Sequence, residues 1–316
     1  MGIEQWEAYY RGGALATGPT GSDGSYDLEI RQAWVEFFST LRDGARILDV
    51  GTGNGVVALL AAETAAARAK KWEIHASDLA DINPKHDLVD GARRLSGIQF
   101  HPRVATEKLP FGNQSLDAVS GHYALEYTDT AKALRELHRV LKAGSEAQFI
   151  LHSASSALIH NAKWTLHEIE FILQTSKLYR RMHRLLTLEH AANEVVQSAA
   201  LELRSAIQLV KAELANIQAQ GAGRTLSVTL DAVQTLLSMV KQLRPQALGL
   251  EIDRAEQELR AYLHRQQDLV KHARTVSDME QIKQQAIAIG FSQIEYMPIH
   301  HDRINLVGWL LLMHRP

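Results

Sequence analysis

The chain predicts an α/β fold, a mostly parallel sheet covered by helices on both faces and interrupted late by a long helical insertion. Three observations carry this. Arg46-Ile-Leu-Asp-Val-Gly-Thr-Gly-Asn-Gly55 reads as a buried strand running into a glycine-rich turn and then a helix. Short apolar strands then alternate with helical stretches up to about residue 153. From roughly 160 to 275, apolar residues recur at helical steps without any strand signal.

The first stretch is the most informative. Ile47, Leu48 and Val50 form the short apolar run of a parallel strand covered on both faces. Gly51, Gly53 and Gly55 follow at once, and glycine lets a backbone take positive φ and lie directly against a ligand. Val56 to Ala69 reads as a helix whose first N–H groups point at whatever fills the turn, so a nucleotide-like ligand is expected there. A second strand, Trp72 to Ala76, leads to Asp78. An acid at the tip of strand 2 has two oxygens suited to the vicinal hydroxyls of a ribose.

Further strands are expected at Ile98 to Val104, Ser115 to Ser120 and Ala147 to Leu151, with a helix from Thr130 to Leu141 closed by Gly144. The last elements are a helix from Asp278 to Ile289, capped by Ser277 and stopped by Gly290, and strands Ser292 to Ile299 and Asn305 to His314. At the start, residues 3 to 11 form a short amphipathic helix and residues 26 to 41 a second one, separated by the turn-forming loop Thr17 to Gly24.

Three segments, Ile47–Gly55 (ILDVGTGNG), Leu109–Val119 (LPFGNQSLDAV) and Ala133–Gly144 (ALRELHRVLKAG), together resemble the class I S-adenosylmethionine (SAM)-dependent methyltransferases. The resemblance lies in the branch that includes the ubiquinone and menaquinone C-methyltransferases, and it covers roughly residues 40 to 153 and the C-terminus. It implies a Rossmann-like, mostly parallel sheet of seven strands, with SAM as cofactor. The positions that match the cofactor site are Asp49, Gly51, Thr52, Gly53, Asn54, Gly55, Asp78, Leu79 and His122. The family carries an acid four residues before the Leu of LPF, on the adenine; here that position is Ala105, with Thr106 or Glu107 as substitutes. In related enzymes the segment before strand 1 closes over the site. Trp6, Tyr9 and Tyr10 are then either aromatic walls for a cation or plain core packing.

The carboxyl ends of the strands line the ligand crevice of such a sheet. Gly121-His-Tyr-Ala-Leu-Glu-Tyr127 leaves strand 4 there, which makes His122 the preferred base, with Tyr123 and Glu126 as second choices. The bland alternatives are a structural histidine and, for Glu126, a cap on the next helix.

The implied function is methyl transfer to an O, N or C nucleophile of a small molecule; the alternative is a SAM-binding scaffold whose helices bind another protein. The GxGxG spacing counts against a nicotinamide oxidoreductase, and the absence of an Asn-Pro-Pro-Tyr motif after strand 4 counts against a nucleic-acid methyltransferase. Lys+Arg 34 against Asp+Glu 36 gives no polyanion-binding surplus, and with no cysteine there is neither a disulfide nor a thiolate metal site. The N-terminus has no apolar core for a signal peptide, and no apolar run approaches the roughly 20 residues of a membrane span, so a cytoplasmic enzyme without metal or stable membrane insertion is expected.

The expected domains are a core, 1–153 with 277–316, and an insertion, 154–276, acting as lid or homodimer element. Apolar runs through Leu203 to Ile217, Leu226 to Val240 and Ile252 to Val270 read as antiparallel helices broken by Gly221–Arg224 and Arg244-Pro245. An earlier helix, Thr165 to about Ala192, carries the basic cluster Lys177 to Arg184, which is either an anion site or a solvated face.

Overall fold

A computed structural model describes residues 3–13, 15, 24–188, 191–242 and 244–316, with the side chain of residue 241 left aside. The expected loop at 17–23 lies outside the described residues. The chain separates into two compact units, one of residues up to 159 together with 272–316, the other of residues 160–271.

The first unit is built on the mostly parallel seven-stranded sheet that the sequence implies. Its strands are β1 (Arg46–Val50), β2 (Glu73–Ser77), β3 (Ile98–His101), β4 (Leu116–His122), β5 (Leu141–His152), β6 (Ser292–His301) and β7 (Asn305–Arg315), in the order β3-β2-β1-β4-β5-β7-β6. The first five run parallel; β7 is antiparallel to both β5 and β6. Side chains alternate across β1, which puts Ile47 into one core and Leu48 and Val50 into the other. The Ile47 side is filled by Trp34, Phe37 and Phe38 of α2 (Leu28–Ser39) and Leu59 and Leu60 of α3 (Val56–Ala67), whereas α1 (Glu4–Arg11) has no buried residue. Two single-turn helices, α4 (Pro84–Asp87) and α5 (Gly91–Arg94), lie between β2 and β3. The opposite face is covered by α6 (Thr130–Val140) and, late in the chain, by Met279, Ile282 and Ala286 of the last helix, Val276–Ile289.

Several boundaries differ from the sequence reading. Helix α6 ends at Val140, not Gly144, because Leu141 is already extended and pairs with Leu116. Gly144, at φ 78°, instead sits in a bulge where β5 gains residues against β4. Strand β4 reaches His122 and β5 reaches His152, so both histidines belong to strand ends. The last helix is capped by Thr275, not Ser277: Thr275 and Asp278 form a reciprocal capping box.

The second unit has its own core of Leu203, Val210, Leu226, Val233, Ile252 and neighbours. The helix read as running from Thr165 to Ala192 is in fact α7 (Ala157–Glu170), a π-helical turn at Phe171–Ser176, and α8 (Leu178–Leu186). Lys177, at φ 51°, breaks it, a departure invisible to hydrophobic spacing because the apolar period continues across the break. Helices α9 (Asn193–Gln218), α10 (Arg224–Ser238) and α11 (Pro245–His272) follow, and Val276–Ile289 is thus α12. Two members of the basic cluster Lys177 to Arg184 are answered locally: Arg184 Nη1 donates to both carboxylate oxygens of Glu202, and His183 faces Asp253 at 3.6 Å. Among the described residues no helix is long and apolar enough to cross a membrane.

Candidate functional site

The turn after β1 forces the chain into conformations that only glycine takes without strain. Gly51 and Gly53 have φ of 59° and 52°. Space is equally restrictive: a Cβ on Gly51 would stand 2.4 Å from Ala124 Cβ, and one on Gly53 would stand 2.6 Å from the Tyr10 ring. The turn is therefore gripped between the segment after β4 and helix α1. It is also tied to β2, since Thr52 N donates to Ser77 O at 3.0 Å. Gly55 starts α3, whose free N–H groups face the turn.

Two buried carboxylates flank it. Asp49 Oδ1 accepts from Ser120 Oγ at 2.8 Å, and Oδ2 from Thr52 Oγ1 at 2.5 Å. Burial pushes its pKa up to about 7, opposed by those hydroxyls and reinforced by the charge of Asp78. Asp78 Oδ2 accepts from Gly53 N and Oδ1 from Ala80 N, both at 2.8 Å. Burial raises its pKa too, against the pull of these amides. Each Asp78 oxygen has taken one donor and has lone-pair capacity for another, which suits a vicinal diol. Two mutually repelling buried acids also suit a ligand with a cationic end.

The remaining expected contacts are distributed unevenly. Asn54 is buried, but its amide donates to Tyr10 O at 2.9 Å and so holds α1. Leu79 is 49% exposed beside Asp78. Thr106 is buried; Glu107 is committed elsewhere, accepting from Asp129 N at the start of α6 at 2.8 Å. Of the N-terminal aromatics, Tyr10 lies over Gly53, and Trp6 meets Tyr127 edge-on at 6.0 Å. Glu7 accepts from Asp81 N at 3.1 Å, a third tie of α1 to this end of the sheet.

Of the three chemical candidates, His122 has no ring lone pair free. Its Nδ1 accepts from the Trp34 indole at 3.2 Å, and an indole N–H only donates. The neutral ring must therefore carry its proton on Nε2, a buried atom with no hydrogen-bond partner among the described residues. Burial, between the stacked Tyr26 ring at 4.1 Å and Trp34, lowers the pKa well below the ordinary value, with His152 adding to the shift. As placed, His122 is a donor and not a base. Tyr123 is also occupied: its hydroxyl donates to Val307 O at 3.0 Å, and burial raises its pKa well above the usual range.

Glu126 is different. It is 1% exposed, and its Oε1 lies 2.8 Å from both the peptide N and Nδ1 of His152. Its Oε2 has no partner among the described residues. It is not the helix cap that the bland reading allowed, since Asp129 caps α6. Arg274 completes the group: its Nη2 donates to Glu126 O at 2.8 Å, and its peptide N donates to His152 O at 2.7 Å. Sequence reasoning missed His152 and Arg274 as site residues. His152 has the same signal as His122, a histidine ending an apolar strand; Arg274 carries none.

Residues 48–149 match a methyltransferase domain family. The ubiquinone/menaquinone biosynthesis C-methyltransferase of Xanthomonas oryzae pv. oryzae is 30% identical over 163 residues, 49% of this chain and 62% of that protein. A demethylmenaquinone methyltransferase from Chlorobaculum parvum is 34% identical over 106 residues, 33% of this chain and 40% of that one. The chain thus spans less than two thirds of the length of these relatives. Among solved structures, a SAM-dependent methyltransferase from Methanococcus maripaludis aligns over 90% of this chain and 83% of its own at 13% identity and a TM-score of 0.39. The geranyl diphosphate C-methyltransferase of Streptomyces coelicolor aligns over 48% and 64% at 17% identity and a TM-score of 0.34.

Proposed function

We propose, from a core that belongs to the class I SAM-dependent methyltransferases, that this chain transfers a methyl group from SAM to a small-molecule acceptor. The observation that carries the reading is the glycine turn with Asp78 anchored beside it: a strand-end carboxylate held by the Gly53 amide, with its second lone pairs open. Asp78 takes the ribose hydroxyls, the Gly51–Gly53 backbone lies against the cofactor, Asp49 answers its cationic end, and Tyr10 and Leu79 flank it. Thr52, Asn54 and Gly55 shape the turn, and Thr106 serves the adenine side in place of Glu107. When bound, SAM supplies an electrophilic methyl group on a sulfonium. The chain's residues bind it, hold the acceptor in line and exclude water.

The relatives named above are a ubiquinone/menaquinone biosynthesis C-methyltransferase and a demethylmenaquinone methyltransferase, and the rings gathered near Glu126, namely Tyr123, Tyr127, His152 and His272, suit a hydroxylated aromatic acceptor. We infer that the enzyme works in the cytoplasm and self-associates through the helical unit, where Leu201, Leu209, Val228 and Leu250 are exposed. Calorimetric titration with SAM and with NADH tests the central point: SAM binds and NADH does not. Binding of NADH alone overturns the reading, and a monomer by light scattering overturns the self-association.

A further inference from the structure

We propose that His152, oriented by Glu126, is the proton acceptor for the methyl acceptor, the role that the sequence suggests for His122. The proposal rests on the methyltransferase reading. Its basis is a comparison of two buried histidines at neighbouring strand ends, His122 on β4 and His152 on β5, two positions beyond Ile150, the register partner of His122.

Glu126 Oε1 accepts the peptide N–H of His152 at 2.8 Å, and because a carboxylate only accepts, the ring Nδ1 at the same distance is the donor to it. With the proton on Nδ1, the neutral ring carries its lone pair on Nε2. That is the opposite tautomer from His122, and the one a base requires. Two donors from one residue fix the carboxylate, while Tyr123, stacked on the His152 ring at 3.7 Å and 18°, fixes the ring plane. Arg274 ties both residues through their backbone carbonyls, yet its guanidinium makes no ion pair with the Glu126 side chain; among the described residues the one basic partner of that carboxylate is His152.

A carboxylate bonded to Nδ1 holds the imidazole in the tautomer that presents Nε2 as acceptor and can answer a positive charge that forms on the ring. The dyad is thus a place prepared for a proton. Glu126 Oε2, buried and without a partner among the described residues, can take a hydroxyl or water that arrives with the acceptor. The site lies beside the cofactor turn, since Ala124, two residues before Glu126, packs against Gly51. In the transfer, a proton leaves the acceptor's O–H, N–H or C–H for His152 Nε2. The electron pair of the attacking atom forms the bond to the methyl carbon, and the pair of the broken C–S bond stays on sulfur.

The test is side-chain 15N NMR of the full-length protein through the neutral pH range, together with turnover of 1,4-dihydroxynaphthalene and methyl-labelled SAM. His152 is expected as the Nδ1–H tautomer that becomes imidazolium, and His122 as an Nε2–H ring that stays neutral. Glu126→Gln should cut kcat by about tenfold or more through loss of the carboxylate charge that answers the ring, with SAM affinity within about twofold of the parent. His152→Gln should cut kcat by roughly 100-fold and remove the acidic limb of its pH profile, with SAM affinity within about twofold of the parent. A neutral His152 ring protonated on Nε2, a Glu126→Gln variant with the parent turnover, or a His152→Gln variant with the parent pH profile each overturns the proposal. A protein that binds no SAM defeats the methyltransferase reading instead, and the tautomer of His152 still decides the dyad.

Discussion

Among the described residues each unit of this molecule buries one glutamate almost completely, and the two are treated in opposite ways. Glu168, 2% exposed on α7, has both oxygens satisfied: Oε1 accepts from Gly223 N at 2.9 Å and Oε2 from Leu226 N at 3.0 Å. It caps the N-terminus of α10 from another helix, where the free N–H groups and the helix dipole both favour an anion. Glu126, 1% exposed beside the cofactor turn, has one oxygen satisfied and one left over. A buried polar group that is fully paired holds a fold together; one kept half-paired costs stability that only a ligand or a reaction repays. The contrast separates the helical unit, whose buried charge is architectural, from the core, whose buried charges surround a site.

The largest stability effect should fall on Glu168. In Glu168→Gln one amide oxygen can still accept, but the new NH2 group faces a peptide N–H that has lost its acceptor. Orphaning that donor and losing the charge at the helix end should cost about 2–4 kcal/mol. Urea unfolding followed by circular dichroism measures it, and a loss below about 0.5 kcal/mol would show that α10 is capped by other means. SAM affinity should not change.

Asp78 comes next, because its role is binding. Asp78→Ala removes the acceptor of two peptide amides and of the proposed ribose hydroxyls, and should weaken SAM by roughly 1–3 kcal/mol, or about 5- to 150-fold in Kd. Calorimetry at neutral pH reads it directly. Unchanged affinity would take Asp78 out of the site and leave it a clamp for Gly53 and Ala80.

How far these sites were legible in the sequence depends on how local their causes are. The strand, the glycine turn and α3 are contiguous, and their apolar run and glycines announce them without any partner. Gly290 as the stop of α12 was legible for the same reason: it takes φ 115° directly after the helix. Gly144 carried the same signal and marked a bulge, because pairing of Leu141 with Leu116 outweighs continuation of the helix. The Glu126 group was hardest, since its bonds join residues 26 and 148 positions apart, across the whole insertion in the second case. Nor could sequence tell the tautomers of His122 and His152 apart, which depend on an indole donor and a carboxylate acceptor from other elements.

The pH dependence of the core sharpens the comparison further. Burial raises the pKa of Asp49 from 3.8 to about 7, and raises that of Asp78 as well. A carboxyl that is more basic folded than unfolded holds its proton more tightly in the native state. Its contribution to stability is complete below the unfolded value and is lost as pH rises through the folded one. The melting temperature of the ligand-free protein should therefore fall between pH 3.8 and about 7 on account of Asp49. A cationic ligand selects the ionised form, so SAM affinity should rise across the upper part of that window by up to about tenfold per pH unit. Release of about half a proton on binding near neutrality, rising toward one about a pH unit lower, read from calorimetry in buffers of different ionisation enthalpy, is the expected sign. Affinity that is flat with pH would mean that Asp49 stays protonated and serves Thr52 and Ser120 alone.

The smallest effect on stability should come from the same substitution as the first, made at the other glutamate. In Glu126→Gln the amide oxygen can keep both bonds from His152, and the amide nitrogen takes the place of Oε2, an atom with no partner to lose. An unpartnered charged acceptor is exchanged for an unpartnered neutral donor, and the desolvation of the neutral group is the cheaper of the two. Unfolding free energy should change by less than about 0.5 kcal/mol, in either direction. The two Glu→Gln variants, measured side by side by urea unfolding, would then differ by several-fold in their cost although both residues are buried to the same degree. If Glu126→Gln proves as costly as Glu168→Gln, Oε2 has a structural partner after all, and the distinction between the architectural and the reactive carboxylate collapses.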